Sequence, residues 1–123
     1  ILQGCKSLPL VERAPHDHLR VAVSRLHCTP ETEEHIDTLR KKYPDLEIVE
    51  QGSSYKFCLL AEGAIDYYIR TTNTYEWDTA AGELILAEAG GATKSYPEGK
   101  PLLYNKEDLR NPWFEAYSPA HNF

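Results

Sequence analysis

Residues 76–91 read Glu-Trp-Asp-Thr-Ala-Ala-Gly-Glu-Leu-Ile-Leu-Ala-Glu-Ala-Gly-Gly. Trp77, Ala80, Ala81, Leu84 and Ile85 recur at three-and-four spacing, which predicts a helix from near Trp77 to near Ala89 with that stripe turned to a core. Gly90 and Gly91 supply a C-terminal stop. Asp78 falls in the first turn, where backbone N–H groups lack intrahelical partners and negative charge is favoured. Two readings of it follow: a helix cap, or an oxygen donor beside a bound anion, since helix N-termini also attract phosphate.

Working outward, residues 64–70 form a short apolar run read as a strand, and residues 55–61 form a helix closed by Gly63. Further upstream, residues 46–49 and 19–24 read as two more buried strands. Between them Thr29-Pro30 opens a helix with an acidic start (Glu31, Glu33, Glu34) and a basic end (Arg40, Lys41, Lys42), stopped by Pro44 and burying Ile36, Leu39 and Tyr43. Downstream, residues 92–96 and 101–104 are expected as strands around the turn Pro97-Glu98-Gly99. Residues 4–18 hold two prolines and no sustained period, and read as a connector. Alternating strands and helices specify an α/β fold, a largely parallel sheet of about five strands with helices on both faces. Ligands gather beyond the strand ends in such sheets. That rule brings Ser24 to His27, Gly52 to Lys56, Arg70 and Asp78 to one rim.

Composition sets bounds on function. A chain of 123 residues, 41% hydrophobic and 26% charged, is ordinary for one globular domain. The formal charge of −6 argues against a nucleic-acid polymer or an anionic membrane as partner. No apolar run reaches the length of a membrane span. Cys5, Cys28 and Cys58 form no Cys-x-x-Cys pair and leave one over, which points to reduced thiols and a cytoplasmic location. Cys58 reads as a small buried hydrophobe. The histidines have no zinc-ligand spacing.

Three blocks in register carry a resemblance. They are Gly52-Ser53-Ser54-Tyr55-Lys56-Phe57-Cys58, residues 64–70 ending in Arg70, and Trp77-Asp78-Thr79-Ala80-Ala81-Gly82. With Ser24-Arg25-Leu26-His27 before them and Asn111-Pro112-Trp113 after, the chain resembles the inositol monophosphatase family of metal-dependent phosphatases, and within it the 3'(2'),5'-bisphosphate nucleotidase branch. The similarity spans roughly residues 20 to 116. Two acidic motifs of the family's N-terminal half, of Gly-Asp-x-x-x-Ser-Glu and Asp-Pro-x-Asp-Gly-Thr type, do not occur in this chain. The resemblance therefore covers a C-terminal half, with residues 1–18 as the connector from a missing N-terminal domain and residues 19–123 as the C-terminal α/β domain. The start at Ile1 and the lack of any Met fit a fragment.

What the resemblance implies can be set beside the chemistry of each residue. Mg²⁺ takes oxygen ligands, usually one or two carboxylates with water and phosphate, and the family's Trp-Asp aspartate corresponds to Asp78 as a metal ligand. Glu76, next to it, is expected to face solvent. Ser53 and Lys56 open a helix where N–H groups, a hydroxyl and an ammonium can hold a phosphate or ribose oxygen. Arg70 offers paired donors to phosphate, and the branch places an arginine there against the nucleotide, where inositol-selective relatives carry an acid. His27 resembles the branch's histidine beside the nucleotide; the plain alternative is a loop residue. The implied activity is Mg²⁺-dependent hydrolysis of 3'-phosphoadenosine 5'-phosphate to AMP and phosphate. Alternatives are an inositol- or sugar-phosphate phosphatase of the same family, or a fragment serving only as a non-catalytic binding or assembly module. Expected partners are the phosphorylated nucleotide, the N-terminal half of the same protein, and a second copy in a homo-oligomer.

Overall fold

The computed structural model describes residues 18–24 and 28–119. The connector assigned to residues 1–18, all but His18, and the candidate His27 lie outside those residues. The elements run β1 (Arg20–Ser24), α1 (Pro30–Lys42), β2 (Glu47–Gln51), α2 (Tyr55–Glu62), β3 (Tyr67–Arg70), α3 (Glu76–Glu88), β4 (Ala92–Ser95) and β5 (Phe114–Tyr117). They form one five-stranded sheet in the order β2-β1-β3-β5-β4. β1 pairs parallel with β2 and β3, whereas β5 pairs antiparallel with β3 and β4, so four strands share one direction and β5 alone opposes them. The α/β expectation with a largely parallel sheet holds.

Alternation along the strands separates two cores. Val21, Val23, Tyr67 and Ile69 face Ile36, Leu39 and Tyr43 of α1 and the residue after it, while Ala22, Tyr68, Phe114 and Ala116 face α2 and α3 through Phe57, Leu60 and Leu86. Each strand thus serves both layers, as a sheet covered on both faces requires. α1 starts as its composition dictates: Thr29 Oγ1 accepts from Thr32 N at 3.2 Å, and Pro30 occupies the first turn.

Two expectations fail. Residues 101–104 form no strand; Pro101 has no N–H to give a ladder, and only Leu102 of the segment is buried. The fifth strand is β5, where Phe114 and Ala116 face the core in strict alternation. The second failure concerns the face of α3. Trp77 is 67% exposed, Leu84 62% and Ile85 41%, and Ala80 and Ala81 are exposed too, whereas Glu76, Thr79 and Leu86 are the buried positions. α3 carries apolar residues on more than one face, and the spacing rule selected the outward one.

The inward face is set by Gly82. A Cβ built there would lie 2.7 to 2.8 Å from Phe57 side-chain carbons, so α2 and α3 approach as closely as they do only because that position has no side chain. Gly82→Ala should gain about 1 kcal/mol of helix propensity but lose about 1–3 kcal/mol to overpacking. Denaturant unfolding is expected to show net destabilisation, and a more stable variant would contradict this close approach.

Candidate active site

The carboxyl ends of three parallel strands, at Ser24, Gln51 and Arg70, lie at one edge of the sheet, and α2 and α3 begin just beyond it. Phe114 joins this edge by pairing with Arg70. A cavity of about 250 Å³ opens there, lined among others by Ser53, Ser54, Tyr68, Arg70, Thr74, Trp77 and Asp78. Three of the sequence-derived candidates, Ser53, Arg70 and Asp78, therefore line one cavity.

Asp78 is the helix cap that one of its two readings gave it. Its Oδ2 accepts the Tyr75 N–H at 2.9 Å, which caps α3 and fixes the carboxylate's orientation. The side chain is nonetheless exposed at the cavity, and among the described residues Oδ1 has no hydrogen-bond partner. An oriented carboxylate with one free oxygen is a suitable donor for a hard cation such as Mg²⁺. Among the described residues, however, no group of three or more His, Cys, Asp or Glu comes together to hold a metal. One ion could be held in part here; the remaining ligands must come from elsewhere.

Arg70 ends β3 half-buried, beside the Tyr68 hydroxyl. Its Nε is buried and has no hydrogen-bond partner among the described residues. A buried donor left unmade is costly, and an acceptor brought by a ligand would satisfy this one. Ser53 lies in the turn between β2 and α2, with a left-handed φ of 61°, and Ser54 makes no side-chain cap bond to α2. Ser53 Oγ accepts the Tyr55 N–H at 3.4 Å and the Ser54 carbonyl accepts the Phe57 N–H at 3.0 Å, so in that first turn the Lys56 N–H is the one left open to an anion among the described residues.

Lys56 departs from the expected arrangement. The sequence put it with Ser53 as a phosphate-binding pair, but its side chain is fully buried and does not line the cavity. Its Nζ donates to the Gln51 carbonyl at 2.7 Å and sits 4.9 Å over the Tyr68 ring. Burial chiefly, and the Arg70 charge secondarily, push its pKa down to about 8.

Several supporting residues escaped the sequence reading. Glu76 does not face solvent: it accepts from the Asn105 N–H at 2.8 Å, the Lys106 N–H at 3.0 Å and the Lys106 ammonium at 2.7 Å, pinning the loop after β4 against α3. Asn111 Nδ2 reaches Thr74 Oγ1, Tyr75 O and Thr79 Oγ1 at 2.8 to 3.1 Å, which steadies the chain leading into Asp78. The block containing Asn111 was legible as a match, but nothing in its spacing said that the amide turns toward α3.

Residues 2–115 match the inositol monophosphatase family. The chain belongs to that family. It is 40% identical over 97 residues to the 3'(2'),5'-bisphosphate nucleotidase CysQ of Escherichia coli K12, covering 78% of this chain and 37% of that protein. It superposes on the crystal structure of CysQ from Bacteroides thetaiotaomicron with a TM-score of 0.83 and 46% identity, covering 92% of this chain and 41% of that one. Inositol monophosphatase-II from Staphylococcus aureus, at 16% identity and a TM-score of 0.68 over 94% of this chain and 41% of that one, shares the fold. The chain spans about two fifths of the length of these family members.

The Lys106 ammonium and the N–H groups around Glu76 hold its carboxyl below the ordinary value of 4.5. A depressed carboxyl pKa contributes stability that is complete above the ordinary value and is lost as pH falls through the depressed one. Glu76→Gln should therefore lower the Tm at pH 7, with the difference from the parent shrinking below about pH 4.5. Thermal scans from pH 7 to pH 3 check this, and a difference that does not change with pH would contradict the ion pair's role.

Proposed function

We propose that this chain is the nucleotide-binding half of a Mg²⁺-dependent 3'(2'),5'-bisphosphate nucleotidase, which removes the 3'-phosphate of 3'-phosphoadenosine 5'-phosphate to leave AMP. The observation that carries the reading is the convergence of Asp78, with its free oxygen, and Arg70, with its unsatisfied buried Nε, on the cavity that Ser53 lines. The similarity to CysQ supports the nucleotide over other phosphate esters. Arg70 donates to phosphate oxygens, and the Ser53 hydroxyl with the Lys56 N–H at the α2 start holds the same ligand. Asp78 would be the carboxylate that keeps Mg²⁺ beside the phosphate. When bound, that ion supplies charge neutralisation and an acidified water. His27 follows β1 and completes the nucleotide contacts in this proposal.

The described residues hold no further metal-binding carboxylate cluster, and in this proposal the other ligands come from an N-terminal portion of the protein, from which residues 1–18 would lead into the domain of residues 19–123. The outward face of α3, where Trp77, Leu84 and Ile85 are exposed beside Asp78, is where that portion would pack. We place the protein in the cytoplasm, in keeping with the free thiols of Cys28 and Cys58. Among the described residues no helix is long and apolar enough to cross a membrane.

Two outcomes test the proposal. The 123-residue chain alone is expected to release no measurable phosphate from the bisphosphonucleotide in Mg²⁺, and robust turnover would refute the need for further ligands. In the complete protein, Arg70→Ala should weaken use of the bisphosphonucleotide by about 1.5–3 kcal/mol in kcat/KM, the worth of a hydrogen bond to a charged group. Faster turnover of inositol phosphate than of the bisphosphonucleotide by the parent enzyme would reject the nucleotidase assignment.

A further inference from the structure

Asn111 is bonded more heavily than a connecting segment requires. It is 6% exposed, and its backbone N–H donates to the Thr74 carbonyl at 2.8 Å. Its amide Nδ2 lies 2.8 Å from the Tyr75 carbonyl, 3.0 Å from Thr79 Oγ1 and 3.1 Å from Thr74 Oγ1. Those partners belong to the entry and first turn of α3, on either side of Asp78.

The direction of each bond follows from the groups at its ends. Tyr104 donates its hydroxyl to the Glu83 carboxylate, which can only accept. The Tyr104 oxygen is then free to accept the Thr79 hydroxyl at 3.1 Å, for which the Glu76 carbonyl at 3.4 Å is the longer alternative. Thr79 Oγ1 in turn accepts one amide N–H of Asn111, and the Tyr75 carbonyl, a pure acceptor, takes the other. A flipped amide would set oxygen against that carbonyl, so the surroundings impose the orientation. Asn111 Oδ1 is buried with no hydrogen-bond partner among the described residues. An amide kept in place with its acceptor unsatisfied is there for its donors.

Tyr75 connects this chain to Asp78. Its N–H donates to Asp78 Oδ2 at 2.9 Å, and its carbonyl accepts the Asp78 N–H at 2.9 Å as well as the Asn111 amide. Asp78 is thus clasped by Tyr75 through both backbone and side chain, and Asn111 holds the clasp from behind. The Glu76 N–H bonded to the Leu109 carbonyl at 2.9 Å, and the bridge between Tyr75 and Arg110, fasten the same two segments together.

We propose that Asn111 is a positioning residue for the divalent ion: by fixing Tyr75 it aims Asp78 Oδ1 and thereby sets how tightly the metal is held. This role rests on the metal-ligand role proposed for Asp78, and it gives the segment leading into β5 a share in the site. A carboxylate whose cap partner drifts must be re-ordered when the ion binds, and affinity falls by that amount.

Binding of Mn²⁺ to the complete protein, read from loss of the free-ion electron paramagnetic resonance signal, tests this without turnover. Asn111→Ala is expected to weaken binding about tenfold, the low end for groups that orient a metal ligand. Asn111→Ser, which keeps one donor, is expected to lie between Asn111→Ala and the parent. Leu102→Val trims a buried apolar residue between β4 and β5, and is expected to lower the Tm while leaving Mn²⁺ affinity at the parent value. In Mg²⁺ titrations of bisphosphonucleotide turnover, Asn111→Ala should raise the half-saturating Mg²⁺ by the same factor and recover the parent kcat at saturation. Asp78→Asn should lose Mn²⁺ affinity more severely. Parent-like Mn²⁺ affinity in Asn111→Ala or in Asn111→Ser, or an equal weakening in Leu102→Val, overturns the inference and leaves Asp78 as a ligand. Parent-like affinity in Asp78→Asn overturns the ligand reading and this inference with it.

Discussion

The close approach of α2 and α3 across Gly82 and Phe57 governs the rest of the site. Both helices follow strands whose carboxyl ends lie at one edge of the sheet, and their N-termini face the same cavity only because they pack side by side on one face. That packing brings the Ser53 turn and Asp78 to one cavity, which Arg70 also lines. Two helix starts directed at a single cavity concentrate partial positive charge there. The arrangement suits a phosphate, although the chain as a whole carries a formal charge of −6.

Electrostatics within the cavity are unbalanced among the described residues. Arg70 lines it and Lys56 lies buried outside its lining, both without an ion-pair partner, and Asp78 supplies one carboxylate, which already serves the Tyr75 N–H. Such an imbalance is costly to a folded domain and becomes favourable once a phosphate with its metal ion enters. The cap bond at Asp78 leaves room for the metal-ligand role proposed for it. One oxygen fixes the orientation of the carboxylate, and the other is left for chemistry.

Much of this was legible in the sequence wherever one local signal had one meaning. Thr29-Pro30 with its acidic turn, the stop at Pro44 and the glycine after α2 each act through backbone bonding, and α1 and α2 appear where those signals place them. The register of Ser53, Arg70 and Asp78 at strand and helix ends was legible too, because parallel strands bring their carboxyl ends to one edge. Signals with two meanings went astray. Trp77, Leu84 and Ile85 recur at helical spacing, but spacing gives a face without saying what covers it. Lys56 and Glu76 carry charge, and charge ordinarily means exposure; only tertiary partners, the Gln51 carbonyl and the Asn105–Lys106 N–H groups, make their burial affordable. β5 was missed because four residues of alternation after a proline-rich loop are a weak pattern until β3 and β4 stand on either side.

The account stands on Asp78 and Arg70 meeting one phosphate and one divalent ion in the same cavity. Crystals of the complete protein soaked in Mn²⁺ and adenosine 3',5'-bisphosphate, with anomalous diffraction recorded for the metal, address this most directly. The account predicts a manganese peak at bonding distance from Asp78 Oδ1, with a phosphate between it and the Arg70 guanidinium. A nucleotide phosphate bound elsewhere, with Asp78 engaged solely by the Tyr75 N–H, would contradict it.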